Sequence, residues 1–224
     1  MGSDGYGLCP RFYDRALEPL NAPLRRVAHR MCPPQPGWTV LDIGCGTGAA
    51  LAEYAAAGCA VIGVDPSPAM IDAAQQRLGP DVDLRLADGP SLPVADGCAD
   101  LVLISLVLHS IRRADAVALL TEAGRALAPA GRVLVTDFGT AGLRFPRGWA
   151  TRGFTVVAEV LSGPTHAGNA VGYLRHGGLG PLVADAGLTI HTQRPSAGGN
   201  ITLTVLGASD DGGGTQGHRE AADH

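Results

Sequence analysis

Between Val40 and Gly48 the chain reads Val-Leu-Asp-Ile-Gly-Cys-Gly-Thr-Gly, an apolar run that breaks into three glycines at alternate positions. A buried strand that ends this way lets a ligand approach main-chain atoms that side chains would otherwise screen. The dinucleotide fingerprint is G-x-G-x-x-G, whereas here Gly44-x-Gly46-x-Gly48 follows an acidic residue, Asp42, inside the strand end. A pyrophosphate gains nothing from Asp42, but a ligand with a cationic amino-acid head does. Two more carboxylates recur at similar points. Val61-Ile62-Gly63-Val64-Asp65 closes a second apolar run, and a carboxylate there can accept hydrogen bonds from both ribose hydroxyls. Leu86-Ala87-Asp88-Gly89 closes a third. Asp88 can accept from an adenine amino group while a backbone N–H meets a ring nitrogen, or it can simply cap the turn before Gly89. A fourth run ends in Ile104-Ser105-Leu106, beside the expected reaction centre.

Around these strand ends lie few groups able to move a proton. His109, in Leu106-Val107-Leu108-His109-Ser110, is placed to face the cleft and is the first choice for a general base. The alternative is a histidine packed beneath the substrate region. His166 is a second candidate, though a solvated loop histidine explains it as well. Arg112-Arg113 could attract an acidic substrate or mark an exposed helix start. Cys45 belongs to the glycine turn rather than acting as a nucleophile. His29, His176 and His191 share no ligand spacing, so no metal is expected.

The elements that must hold these residues alternate between strand and helix, as in an α/β layer fold with a mostly parallel sheet. Strands are predicted at 39–43, 60–64, 82–87, 99–106 and 132–137. Helices are predicted at 49–57, 68–78 and 114–127, with Gly58, Ser67-Pro68 and Pro129-Ala130-Gly131 as boundaries. A last helix at 179–186 leads to a terminal antiparallel pair, 188–192 and 201–206. One domain is expected over 1–208. Within it, 1–36 is an N-terminal extension, helical near 20–31, and 139–178 is a glycine-rich insertion of weak periodicity lying over the ligand site as a lid. The polar, glycine-rich stretch 209–224 is expected to be disordered.

Composition narrows the partners. A formal net charge of −4 without a basic block argues against nucleic acid, and an aromatic content of 4% argues against base-stacking platforms. Five cysteines without C-x-x-C spacing suggest neither a disulfide framework nor a zinc site and fit a reducing cytosol. The apolar run 101–108 is too short to span a bilayer and no signal peptide is read, so a cytoplasmic protein without stable membrane insertion is expected.

Taken together, the motifs resemble the class I S-adenosylmethionine-dependent methyltransferases, in the small-molecule group that includes the quinone-biosynthesis enzymes. Val40–Gly48, Val64-Asp65-Pro66-Ser67-Pro68-Ala69-Met70, Leu86–Gly89, Ala99–Leu106 and Leu127–Asp137 carry the resemblance, from about residue 37 to 138. Pro129-Ala130-Gly131 departs from the usual Pro-Gly-Gly before strand five. The resemblance implies a Rossmann-like, doubly wound seven-stranded sheet of order 3-2-1-4-5-7-6, with strand 7 antiparallel and helices on both faces. It implies S-adenosyl-L-methionine as cofactor. Asp42, Gly44, Cys45 and Gly46 would surround its methionine end, and Asp65 would hold the ribose. Pro66, Ser67 and Met70 would line the adenosine, Asp88 and Gly89 would read the adenine, and Ser105 would lie near the sulfonium. Tyr13 resembles an N-terminal tyrosine that closes over the cofactor in some relatives, or it staples the extension. The expected reaction is O- or C-methylation of a small acceptor, because Leu143, Phe145, Trp149, Phe154, Val156, Val157, Val160 and Leu161 make the lid apolar. An amine N-methyltransferase, a non-catalytic cofactor-binding protein and an NAD-binding protein are the rivals. A homodimer is possible.

Overall fold

Short apolar runs separated by helices give this chain a seven-stranded sheet. The structure, a computed structural model, describes residues 10–140, 142–161 and 163–208. The strands are β1 (Thr39–Ile43), β2 (Ala60–Asp65), β3 (Asp83–Leu86), β4 (Ala99–Ser105), β5 (Leu127–Phe138), β6 (Leu188–Ser196) and β7 (Ile201–Ala208). Their order is β3-β2-β1-β4-β5-β7-β6. β1 to β5 pair in parallel, and β7 runs antiparallel to both neighbours. Val40, Leu41, Leu101, Val102, Ile104, Val133 and Val135 are wholly buried at the centre of this sheet, as befits parallel strands covered on both faces. The polar stretch 209–224 and residues 1–9 lie outside the described residues.

The connecting helices start and stop where local chemistry directs. In α2 (Ala49–Ala56) the N-cap is Gly48 at φ +74, a left-handed conformation that glycine adopts freely. A Cβ there would also meet Ala74 and Leu78 of the next helix. That helix, α3 (Pro68–Leu78), has Pro68 in its first turn and the Ser67 hydroxyl accepting from Met70 N. The next, α4 (Arg113–Ala126), runs straight into β5.

Three elements differ from the sequence expectation. First, helix α1 spans Pro10–Met31 rather than starting near residue 20, and it runs through Pro19 and Pro23. Proline normally ends a helix because it lacks the N–H and crowds the preceding turn. Here Leu24 and Ala28 bury one stripe in the core, and the Arg25 guanidinium bridges Glu18 and Glu53, each at 2.6 Å. Tertiary packing overrides the local signal. Second, Pro129-Ala130-Gly131 does not precede β5 but forms an irregularity inside it, between the pairs Ala99/Leu127 and Leu101/Arg132. Ala130 sits at φ +64 there, where a glycine would be unstrained. Third, the glycine-rich 139–178 segment is largely helical, forming α5 (Arg147–Leu161) and α6 (Pro164–Arg175) before α7 (Leu179–Asp185).

Candidate active site

At the C-terminal ends of β1, β4 and β5 a cavity of about 240 Å³ opens between the sheet and α1. Such a crevice is where α/β sheets bind ligands. The register places Asp42, Leu103 and Leu134 side by side on adjacent strands, and all three line the cavity. Gly44, Cys45, Gly46, Asp65, Pro66, Met70 and Ser105, each a candidate cofactor contact in the sequence, line it too. Ser67, Asp88 and Gly89 are not among its walls. Ser67 is instead buried as the cap of α3, because a serine before Pro68 satisfies the first free amides of the helix. Tyr13 falls on α1, but its side chain lies outside the described ones.

The glycine turn is held open by its neighbours. Gly44 and Gly46 lie at φ +74 and +53. A Cβ on Gly44 would come within 2.5 Å of a Val107 methyl. Asp65 secures the turn from β2: its Oδ2 accepts from Gly46 N at 2.8 Å and its Oδ1 from Ser67 N at 2.9 Å. Each oxygen retains a second lone pair for a ligand hydroxyl. From α3, Arg77 donates to Thr47 O and Oγ1 at 2.9 and 2.7 Å. At the far wall Leu106 lies at φ +58, a costly conformation for a γ-branched residue. It is anchored by a 2.7 Å hydrogen bond from its N–H to Thr136 O.

The electrostatics favour a cation. Asp42 is 3% exposed, and its Oδ1 has no hydrogen-bond partner among the described residues. Burial, with Asp65 adding like charge, pushes its carboxyl up to about 7. An uncompensated buried carboxylate of this kind is stabilised by an incoming positive charge. Asp65 is also raised, chiefly by burial, against the pull of its two backbone amides. Burial pushes the Cys45 thiol far up, and Asp42 and Asp65 add to the effect. That thiol is therefore no nucleophile at neutral pH.

His109 corrects one expectation. It does not face the cavity: it is 3% exposed, its Nδ1 lies 2.5 Å from Asp137 Oδ1, and its ring stacks on Phe138 at 4.0 Å. Asp137 explains why. Its carboxylate also accepts from Leu108 N, His109 N and Phe138 N at 2.9, 3.3 and 2.7 Å, so it draws the 108–110 turn and the imidazole inward together. Asp137 went unread in the sequence, although it repeats the pattern of Asp42, Asp65 and Asp88 as an acid closing a strand. The polar wall residues that the helices supply left no sign in the sequence. Asn21, Arg25 and His29 come from one stripe of α1, at spacings of four and eight, and Tyr54 comes from α2. Asn21 Oδ1 and Tyr54 Oη are buried without hydrogen-bond partners among the described residues. His29 Nε2 is buried 3.4 Å from Glu53 Oε2, without a hydrogen bond among the described residues. His166 lies on α6 and is absent from the cavity wall.

A 3-2-1-4-5-7-6 sheet with an antiparallel seventh strand, a glycine turn after β1 and acids at the strand ends defines the class I S-adenosylmethionine-dependent methyltransferases. The cavity fits that cofactor: unpartnered Asp42 answers its cationic head, and the open turn admits it against the main chain. Residues 40–131 match the family of methyltransferase domains. The chain is 36% identical over 116 residues to a demethylmenaquinone methyltransferase of Corynebacterium kroppenstedtii, covering 52% of this chain and 48% of that protein. It is 38% identical over 111 residues to a ubiquinone/menaquinone biosynthesis C-methyltransferase of Rubrivivax gelatinosus, covering 50% and 43%. The aligned part is thus about half the length of these curated relatives. Among solved structures, an O-methyltransferase family protein of Burkholderia thailandensis superposes with a TM-score of 0.68 at 19% identity, over 91% of this chain and 60% of that one. At that identity the likeness speaks for the fold.

Proposed function

We propose that this protein transfers the methyl group of S-adenosyl-L-methionine to a ring carbon of a small hydroxylated aromatic acceptor of the quinol type. The observation that carries the donor assignment is the buried Asp42 Oδ1, without a hydrogen-bond partner among the described residues, beside the glycine turn. Support for the acceptor comes from the two relatives, whose names specify demethylmenaquinone and C-methylation in ubiquinone/menaquinone biosynthesis. The apolar wall made by Leu24, Ala28, Leu103 and Leu134 suits such a ring.

S-adenosyl-L-methionine would supply an electrophilic methyl group carried on a sulfonium. Asp42 would neutralise its cationic head, and Asp65 would accept from its ribose through the remaining lone pairs. The hydroxylated ring makes its own carbon nucleophilic, and that carbon afterwards releases its proton to water. Leu24 and Ala28 wall the crevice from α1 with apolar surface, which limits water around the reacting groups while leaving the mouth open for the released proton. Asn21 Oδ1 offers an acceptor for a ring hydroxyl. We assign His109 to positioning: with Asp137 it fixes the turn that carries Val107 and Ser110 into the wall.

Calorimetry with S-adenosylhomocysteine and with NAD tests the donor. Tight NAD binding without a response to S-adenosylhomocysteine would overturn it. Radiolabelled methyl transfer to a reduced naphthoquinone, with the product analysed by NMR, tests the acceptor. A methoxy product would replace carbon by oxygen as the nucleophile.

A further inference from the structure

No described residue of the 139–178 segment is among the walls of the cavity, and several of its apolar side chains turn outward. Phe145, Trp149, Val156 and Val157 are 84%, 65%, 52% and 57% exposed. Trp149 and Val156 are seven residues apart on α5 and Val157 is eight from Trp149, so these three share one side of the helix, and Phe145 is exposed in the turn that leads into it. The other side of α5 carries the buried Gly148 and Thr155 and packs on the 197–199 turn. An outward aromatic and β-branched face of this kind marks an interaction surface rather than a core.

Charge selects the partner. Residues 139–178 contain four arginines and a single acid, Glu159, within a chain whose formal net charge is −4. Arg152 turns inward, donating to Gly139 O at 2.9 Å with its guanidinium over Phe138. Arg144 and Arg175 are exposed, and Arg147 opens α5. The segment that carries this apolar face is thus basic, with exposed Arg144 directly beside Phe145, while the rest of the chain is acidic. We propose that this face of α5 docks on an anionic lipid bilayer, with Phe145 and Trp149 at the headgroup level and the arginines among the lipid phosphates. Trp, Phe and Arg are the residues that favour that boundary. A second copy fits less well, because a two-fold contact centred on this face would bring exposed Arg144 toward its own image.

Docking there would adjoin the reaction site. Helix α5 packs on α6, and α6 packs on the 108–110 turn, where Asn169 Nδ2 donates to Ser110 O at 2.8 Å. Ser110 and Ile111 belong to the cavity wall. Surface binding does not depend on the methyl-transfer reading, because it is measured without cofactor or acceptor.

The test is sedimentation of the full chain with vesicles of equimolar phosphatidylglycerol and phosphatidylcholine, and with vesicles of phosphatidylcholine alone. The expected result is at least about tenfold tighter partition onto the anionic vesicles, weakening as salt rises. In a Trp38→Phe variant, where Trp149 is the remaining tryptophan, emission should shift to the blue on binding. Trp149→Ser with Phe145→Ser, at solvent-exposed positions, should abolish partition while leaving the thermal transition and S-adenosylhomocysteine affinity unchanged. Arg144→Glu with Arg147→Glu should remove the preference for anionic lipid. Equal partition onto both vesicle types, no blue shift, or a dimer by analytical ultracentrifugation that Trp149→Ser dissociates would each overturn the proposal, the last in favour of a self-interface.

Discussion

The cavity under α1 and the α5–α6 pair treat their side chains in opposite ways. Around the cavity, polar atoms point inward and are starved of partners: Asp42 Oδ1, Asn21 Oδ1 and Tyr54 Oη are all buried without hydrogen bonds among the described residues. Along α5, apolar side chains point outward and are starved of cover. Each arrangement is unfavourable in isolation, by desolvation in one case and by apolar hydration in the other. Each is relieved by a different partner. The first region is built to receive a small cationic ligand, and the second to meet a surface.

Substitutions can break that contrast. The largest expected effect is on the wall between the two regions. His109→Ala removes one of four hydrogen bonds to buried Asp137 and should cost about 3 kcal/mol of folding stability, read by chemical denaturation. If activity survives in the folded fraction with an unchanged pH profile, His109 is a positioning residue; loss of one limb of the profile would make it the base. Gly44→Ala comes next. It adds left-handed strain and a clash with Val107, and should weaken S-adenosylhomocysteine binding by roughly 2–3 kcal/mol, measured by calorimetry. A neutral result would mean that the turn does not touch the ligand.

Asp42→Asn should weaken the charged cofactor about tenfold or more above pH 7, and should flatten its pH dependence. In the wild type the Asp42 carboxyl is raised to about 7, so below that pH it holds a proton and attracts a cation poorly. Affinity should therefore rise as pH passes upward through 7. Stability of the ligand-free protein should move the other way. The folded chain holds a proton that the unfolded chain has already lost, so this contribution declines as pH rises from about 4 to 7. At the small end, Ala130→Gly should gain up to about 1 kcal/mol by relieving φ +64, and Trp149→Ser should change stability by less than about 0.5 kcal/mol. A large loss at Trp149 would erase the contrast, because it would make α5 part of the core.

Much of the donor side was legible in the residues, since its signals are local. Alternate glycines after an apolar run require positive φ, and Ser67-Pro68 can begin a helix without help from the rest of the chain. The same locality explains the misses. Pro19 and Pro23 argue against a helix that Leu24, Ala28 and the Arg25 bridges nonetheless hold together. The direction of His109 was set by Asp137, twenty-eight residues away, and no spacing reveals such a partner. The apolar residues of 139–178 were read as a lid, because composition tells how much apolar surface a segment has but not which way it faces. Several of them face out.

By itself, then, the sequence determined the strand ends, the glycine turn and the two acids beside it, Asp42 and Asp65, because turn geometry and strand periodicity are properties of a few neighbouring residues. Only the tertiary structure decided that α1 roofs the cavity, that His109 is turned into the protein and that α5 offers its apolar face to the outside. Those are outcomes of packing between distant segments, where burial of one stripe fixes what every other stripe must face.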